Sequence, residues 1–245
     1  VVVPPDYATF QPDLQALEAA LTPRTKALVV NSPNNPSGVV YSPETLQAMA
    51  DLLRRKAAEY GHPIYLISDE PYRELVFQGF TTPWIPNYYD DTLVCYSYSK
   101  SLSLPGERIG YILVGEKVAL RQEVYAAICG AGRALGYVNA PSLFQRVVAE
   151  CDGLTSDLAV YQTNRDLLYQ GLTKMGYTCV EPGGTFYLFL KSPEPDANAF
   201  CKRAQAYDLL FPPADDFACP GWCRIAFCTG TDKVERALPI FEKLA

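Results

Sequence analysis

Two continuous apolar runs on either side of one well-punctuated helix constrain this chain most. They are "KALVVN" (26–31) and "PIYLISD" (63–69), separated by "SPETLQAMADLLRRKAAEYG" (42–61). Ser42 is placed to cap the helix and Pro43 to occupy its first position, while Gly61 supplies the stop. The runs have strand length and are apolar at successive positions. That pattern belongs to strands covered on both faces rather than on one. "TLVCYS" (92–97) and "RIGYILVG" (108–115) repeat it. Beyond Gly115 the pattern turns helical to about Met175, with a break at 136–142, and then alternates shorter strands and helices. The expectation is an α/β fold in two parts. Residues 1–150 carry a partial, mixed and mostly parallel sheet with helices on both faces. Residues 151–245 form a smaller α+β domain, joined through a long helix at about 154–175.

The chain has 245 residues and a net charge of −6, which argues against nucleic acid or an anionic membrane as partner. No apolar run approaches the roughly 20 residues of a membrane span, and "VVVPPDYATF" does not read as a signal peptide. The eight cysteines lie mostly in apolar segments without a paired ligand cluster, and His62 is the only histidine. Reduced thiols behaving as small hydrophobes, in a cytoplasmic protein without a metal, are the expectation. Because the sequence opens on Val1 rather than Met, it is read as an N-terminally truncated fragment of a longer product.

In open α/β sheets ligands collect outside the carboxyl ends of strands. After 26–31 comes "SPNNPSG" with Asn34 and Asn35. After 64–68 come Asp69, Glu70 and Tyr72. After 92–97 come Ser99 and Lys100, with Ser97 at the strand's last position, and Arg108 precedes 109–114. Taken singly, each has an ordinary reading as a turn, a helix cap or a surface lysine. Together they are an acid, an amide, a phenol, an amine and a guanidinium on one edge. Pyridoxal 5′-phosphate needs such a set: an amine for its aldehyde, a carboxylate for its ring nitrogen, and hydroxyls with a cation for its phosphate. The Gly-rich segment 129–142, with Arg133 and Tyr137, is a further candidate lining.

In order and spacing, "NSPNNPSG", "ISDEPYREL", "SYSKSLSLPGERIGYI", "EPGGTFYLF" and "CRIAF" resemble the fold-type I pyridoxal-phosphate-dependent aminotransferases of class I/II, the aspartate aminotransferase superfamily. The resemblance runs over essentially the whole chain. It implies Lys100 as the Schiff-base lysine and proton shuttle, and Asp69 as partner of the pyridine nitrogen. It implies Asn35 and Tyr72 at the phenolate oxygen, Ser97 and Arg108 at the phosphate, and Arg224 as a bidentate grip on the substrate α-carboxylate, to which Asn35 also contributes. Substrates would be an α-amino acid and a 2-oxo acid, and the full-length protein a homodimer. The family's phosphate-cradling turn and ring-stacking aromatic come from a region preceding these motifs. The fragment is therefore expected to show reduced or no activity, with unpaired sheet edges and exposed apolar surface. A carbon–sulfur β-lyase on the same scaffold, or a non-catalytic cofactor-binding regulatory module, stays open as an alternative.

Overall fold

The computed structural model describes residues 1–244. Its first sheet has the order β1 (Ala27–Asn31), β2 (Tyr65–Asp69), β3 (Thr92–Ser97), β4 (Gly110–Val114). The first three strands run parallel and β4 antiparallel. The carboxyl ends of β1 to β3 and the amino end of β4 therefore share one edge. Asp69 is the last residue of β2, one position further into the strand than the sequence pattern suggests, and it sits in register with Asn31.

Helix α1 (Leu14–Ala20) precedes β1, and α2 (Pro43–Tyr60) makes the crossover to β2. The α2 caps form as the sequence predicts. Ser42 Oγ accepts from the Thr45 amide at 3.1 Å, and Gly61 takes a left-handed φ of 72°. One face of α2 is core: Leu46, Met49 and Leu53 are among the most fully buried side chains. Truncating any of them to Ala would cost about 2–5 kcal/mol.

At β4 the pattern of strands covered on both faces gives way to the exposed apolar surface expected of a partial sheet. Tyr111, Ile112 and Leu113 are exposed, and Val29 on the edge strand β1 is 65% exposed. Helices α4 (Arg121–Ala134) and α5 (Ser142–Glu150) bury no residue. Apolar patterning records what a segment is suited to bury against; within residues 1–244 these surfaces are covered only in part, Tyr111 for example stacking on Tyr96 while staying exposed.

Lys100 lies on a single helical turn, α3 (Tyr98–Ser101), between β3 and β4. Helix α6 (Leu158–Lys174) leads to a second, antiparallel sheet of β5 (Cys179–Val180), β6 (Tyr187–Lys191) and β7 (Trp222–Ala226). Helices α7 (Ala197–Gln205) and α8 (Thr231–Leu244) flank it. One hydrophobic cluster joins Leu168, Leu172, Phe200, Phe227 and Phe241 of this part to Tyr72, Leu75 and Phe77 from the segment after β2. That shared core fixes β6 and β7 against the loops at the carboxyl edge of the first sheet.

Candidate active site

The loop after β1 is organised by one side chain. Asn31 Oδ1 accepts from the Asn35 amide at 2.7 Å, while Nδ2 donates to the Asp69 backbone carbonyl at 2.9 Å and to Asp69 Oδ2 at 3.2 Å. Asn34 Oδ1 closes the turn by accepting from the Ser37 amide and hydroxyl at 3.1 and 2.7 Å. The Ser32–Pro33 and Asn35–Pro36 peptides are cis. Gly38 ends the loop at φ 75°, and its carbonyl accepts from the amides of Gly183 and Gly184, each at 2.9 Å. A Cβ at Gly38 would stand 2.8 Å from Pro182 Cβ and 2.9 Å from the Tyr187 carbonyl oxygen. Only glycine lets "NNPSG" and "EPGGTFY" meet this closely.

That meeting sets Arg224. From β7 its Nη1 donates to Asn35 Oδ1 at 2.8 Å, and its guanidinium lies over the rings of Tyr187 and Phe217 at 4.4 and 4.8 Å. Tyr187 packs edge-on against buried Tyr72, and Phe186 does the same at 5.6 Å. Phe186 in turn lies beneath the Lys100 amine, Nζ to ring centre 5.6 Å. Lys100, Phe186, Tyr72, Tyr187, Arg224, Asn35, Asn31 and Asp69 thus form one continuous series of contacts. The structure brings five sequence-predicted residues, Lys100, Asp69, Tyr72, Asn35 and Arg224, to a common place.

Ser97 and Arg108 reach the same sheet edge. Ser97 pairs with Gly110 across β3 and β4, and a Cβ at Gly110 would lie 2.2 Å from the Tyr96 carbonyl oxygen. Ser97 Oγ donates to Ser99 Oγ at 2.7 Å and accepts from the Ser99 amide at 3.2 Å, capping the lysine turn. Arg108 is exposed, with Nη1 donating to the Pro105 carbonyl at 2.6 Å. Arg133 and Tyr137 are also exposed, Tyr137 by 79%.

Burial raises the Asp69 carboxyl above its ordinary range, and among the described residues no cation forms an ion pair with it. Burial, with help from neighbouring Tyr187, pushes the Tyr72 phenol far up, so it stays a proton donor at any physiological pH. Burial likewise raises Cys228, against the opposing pull of the Lys100 charge. Asn31, Phe186 and Tyr187 escaped the reading of the sequence as site residues. Each stood inside a recognised motif, but only the three-dimensional contacts reveal its task.

A half-buried carboxylate without a cationic partner, a tyrosine held protonated, and an amine over an aromatic ring fit a pyridine ring that carries a proton on nitrogen and a phenolate oxygen. Fold and donor set together define a pyridoxal-phosphate-transferase-like scaffold. The chain belongs to the aminotransferase class I and II family, whose model matches residues 1–239; the family depends on pyridoxal phosphate. An aminotransferase structure from Eubacterium rectale superposes with a TM-score of 0.96 at 55% identity, covering 99% of this chain and 61% of that one. The aspartate/prephenate aminotransferase of Thermus thermophilus is 33% identical over 96% of this chain and 60% of its own length. A structure of Thermus thermophilus aspartate aminotransferase with maleate superposes at a TM-score of 0.75 and 31% identity, over 96% of this chain and 61% of that one. The chain spans about 60% of the length of the relatives it matches.

Proposed function

We propose that these residues form part of the active site of an aminotransferase that exchanges the amino group of an α-amino acid with a 2-oxo acid, using pyridoxal 5′-phosphate. When bound, that group supplies an electron-withdrawing ring that renders a substrate Cα–H acidic. Lys100 would hold its aldehyde carbon and then carry the proton between the substrate α-carbon and C4′ of the cofactor. Asp69 would keep the ring nitrogen protonated, a task suited to a carboxylate fixed on one side by the Asn31 amide and without a cationic partner among the described residues. Tyr72 would donate to the phenolate oxygen. So would Asn35, whose Oδ1 is occupied by Arg224 and whose Nδ2 is therefore the group left to give. Ser97 and Arg108 would serve the phosphate.

Arg224 would bind the substrate α-carboxylate. Its guanidinium already lies over two aromatic rings and its Nη1 is tethered, so little freedom is lost on binding. The observation that carries the reading is the continuous contact series from the Lys100 amine to the Asp69 carboxylate through Arg224 and Asn35. A dicarboxylate substrate is consistent with the maleate held by the Thermus thermophilus relative. The full-length protein would act as a homodimer, a reading supported by the same family resemblance.

The test is product analysis with the cofactor-loaded protein. Beyond the single equivalent per bound cofactor released when the amino group passes to the cofactor, 2-oxo acid should form from an amino acid only when a 2-oxo acid acceptor is present, in equal amount to the new amino acid. Pyruvate and sulfide released from cysteine without any acceptor would overturn the reading in favour of β-elimination.

A further inference from the structure

We propose that Ser156, on the approach to α6, is a positioning residue for the Lys100 amine; the inference rests on the role given to Lys100 above. The lysine turn is short: the Lys100 carbonyl accepts from the Leu102 and Ser103 amides, the latter at a long 3.4 Å, and the Ser101 carbonyl takes its backbone donor from outside the turn. Ser156 adds to the first and provides the second. Its amide donates to the Ser101 carbonyl at 2.7 Å, and its hydroxyl reaches the carbonyls of Lys100 and Ser101 at 3.0 and 3.1 Å. With the Ser156 proton shared between those carbonyls, Ser103 Oγ is left to donate to Ser156 Oγ across 3.2 Å. Ser103 carries a left-handed φ of 54°, a conformation a serine keeps only where its surroundings enforce it. One serine therefore grips residues 100, 101 and 103 at once.

The same region also forms part of the amine's apolar wall. Tyr161 of α6 packs against Phe186 at 6.0 Å, and Phe186 is the ring beneath Lys100 Nζ. Ser156 precedes Asp157, whose carboxylate caps α6 by accepting from the Ala159 and Val160 amides at 3.1 and 3.4 Å. The start of α6 thus fixes the Lys100 backbone through Ser156 and the surface under its amine through Tyr161. This explains how a turn of four residues can hold a reactive side chain without a longer helix behind it.

Two readings on wild type, Ser156→Ala and Ser156→Thr test the assignment. In the first, without cofactor, acetic anhydride labels lysine amines across a pH series, and mass spectrometry follows each lysine separately. In the second, added pyridoxal 5′-phosphate is trapped with borohydride, and the rate of modification at Lys100 is measured. Ser156→Ala should shift the Lys100 labelling curve alone and slow trapping about tenfold, the loss expected when roughly one net hydrogen bond is removed. Ser156→Thr, which keeps the hydroxyl, should restore both. A general structural loss would move the other lysines too and would not be rescued by threonine. If Ser156→Ala folds poorly, Ser103→Ala removes only the hydroxyl contact and should shift the Lys100 curve in the same direction, by less.

Lys100 curves that superimpose in wild type and Ser156→Ala, or a threonine variant that behaves like alanine, would overturn the proposal. Full-length wild-type protein in which Lys100 is not trapped would overturn the proposed function instead, and the anhydride series would still decide on Ser156.

Discussion

Arg224 Nη1 donates to Asn35 Oδ1 at 2.8 Å, tying the centre of β7 to the loop after β1 across 189 positions of sequence. The bond orients both partners. It leaves the Asn35 amide nitrogen as a donor, and it holds a guanidinium already lying over the rings of Tyr187 and Phe217. Replacing Arg224 with Lys keeps the charge but loses the fork and the stacking. Arg224→Lys should raise KM for amino-acid substrates by about ten- to a hundredfold, with a smaller change in kcat. Steady-state kinetics check this; an unchanged KM would remove Arg224 from substrate binding.

Asp69→Asn tests the carboxylate proposed to serve the ring nitrogen. The amide is isosteric and can still face Asn31, so the loop after β1 should keep its shape, but it cannot hold a proton on a pyridine. Turnover should fall by about a hundredfold or more, with the cofactor still bound. Absorbance of the bound cofactor and the rate of 2-oxo acid formation, measured together, separate loss of binding from loss of chemistry.

Asn31→Ala removes three bonds at once: those to the Asn35 amide, the Asp69 carbonyl and Asp69 Oδ2. The first two partners belong to the part-buried backbone, so the variant should lose about 1–3 kcal/mol of stability. Denaturant titration should show a lower midpoint with the slope unchanged. A midpoint equal to wild type would mean that the loop is held by other contacts.

Glu70 gives a pH prediction. It is completely buried, and desolvation raises its carboxyl above the ordinary value of 4.5. Hydrogen bonds from Ser68 Oγ and from Arg73 Nε, both at 2.6 Å, oppose the rise without cancelling it. A raised native value means that the folded chain holds this proton more tightly than the unfolded one. The resulting stability is fully present below pH 4.5 and is lost as pH climbs through the native value. Glu70→Gln should therefore match wild type most nearly in acid and gain on it as pH rises toward 7, as read from melting temperatures across the series. A gap between the two that stays constant with pH would contradict this.

Local signals carried much of the fold. Ser42, Pro43 and Gly61 bounded α2, because capping and stop chemistry act over a few residues. That Lys100, Asp69, Asn35, Tyr72 and Arg224 would meet was legible because each lies in a motif close to a strand end or within a strand; the roles proposed for them await the measurements above. Asn31 was not, since its task depends on being in register with Asp69 on the neighbouring strand, which no local pattern encodes. Ser156 was invisible for the same reason: it acts on a turn more than fifty residues earlier in the chain. Exposed apolar surface was expected in a partial sheet, but its place on β4 was not, because an apolar run reports only suitability for burial, whereas covering a strand needs a second element placed over it.

Reductive trapping at Lys100 bears most directly on the whole account. The full-length protein is incubated with pyridoxal 5′-phosphate, reduced with borohydride, digested and mapped by mass spectrometry. The pyridoxyl mass should fall on the peptide containing Lys100, and Lys100→Ala should abolish it. Label on other lysines with Lys100 unmodified would contradict the placement of the amine, and with it the chemistry assigned to Asp69, Asn35 and Arg224.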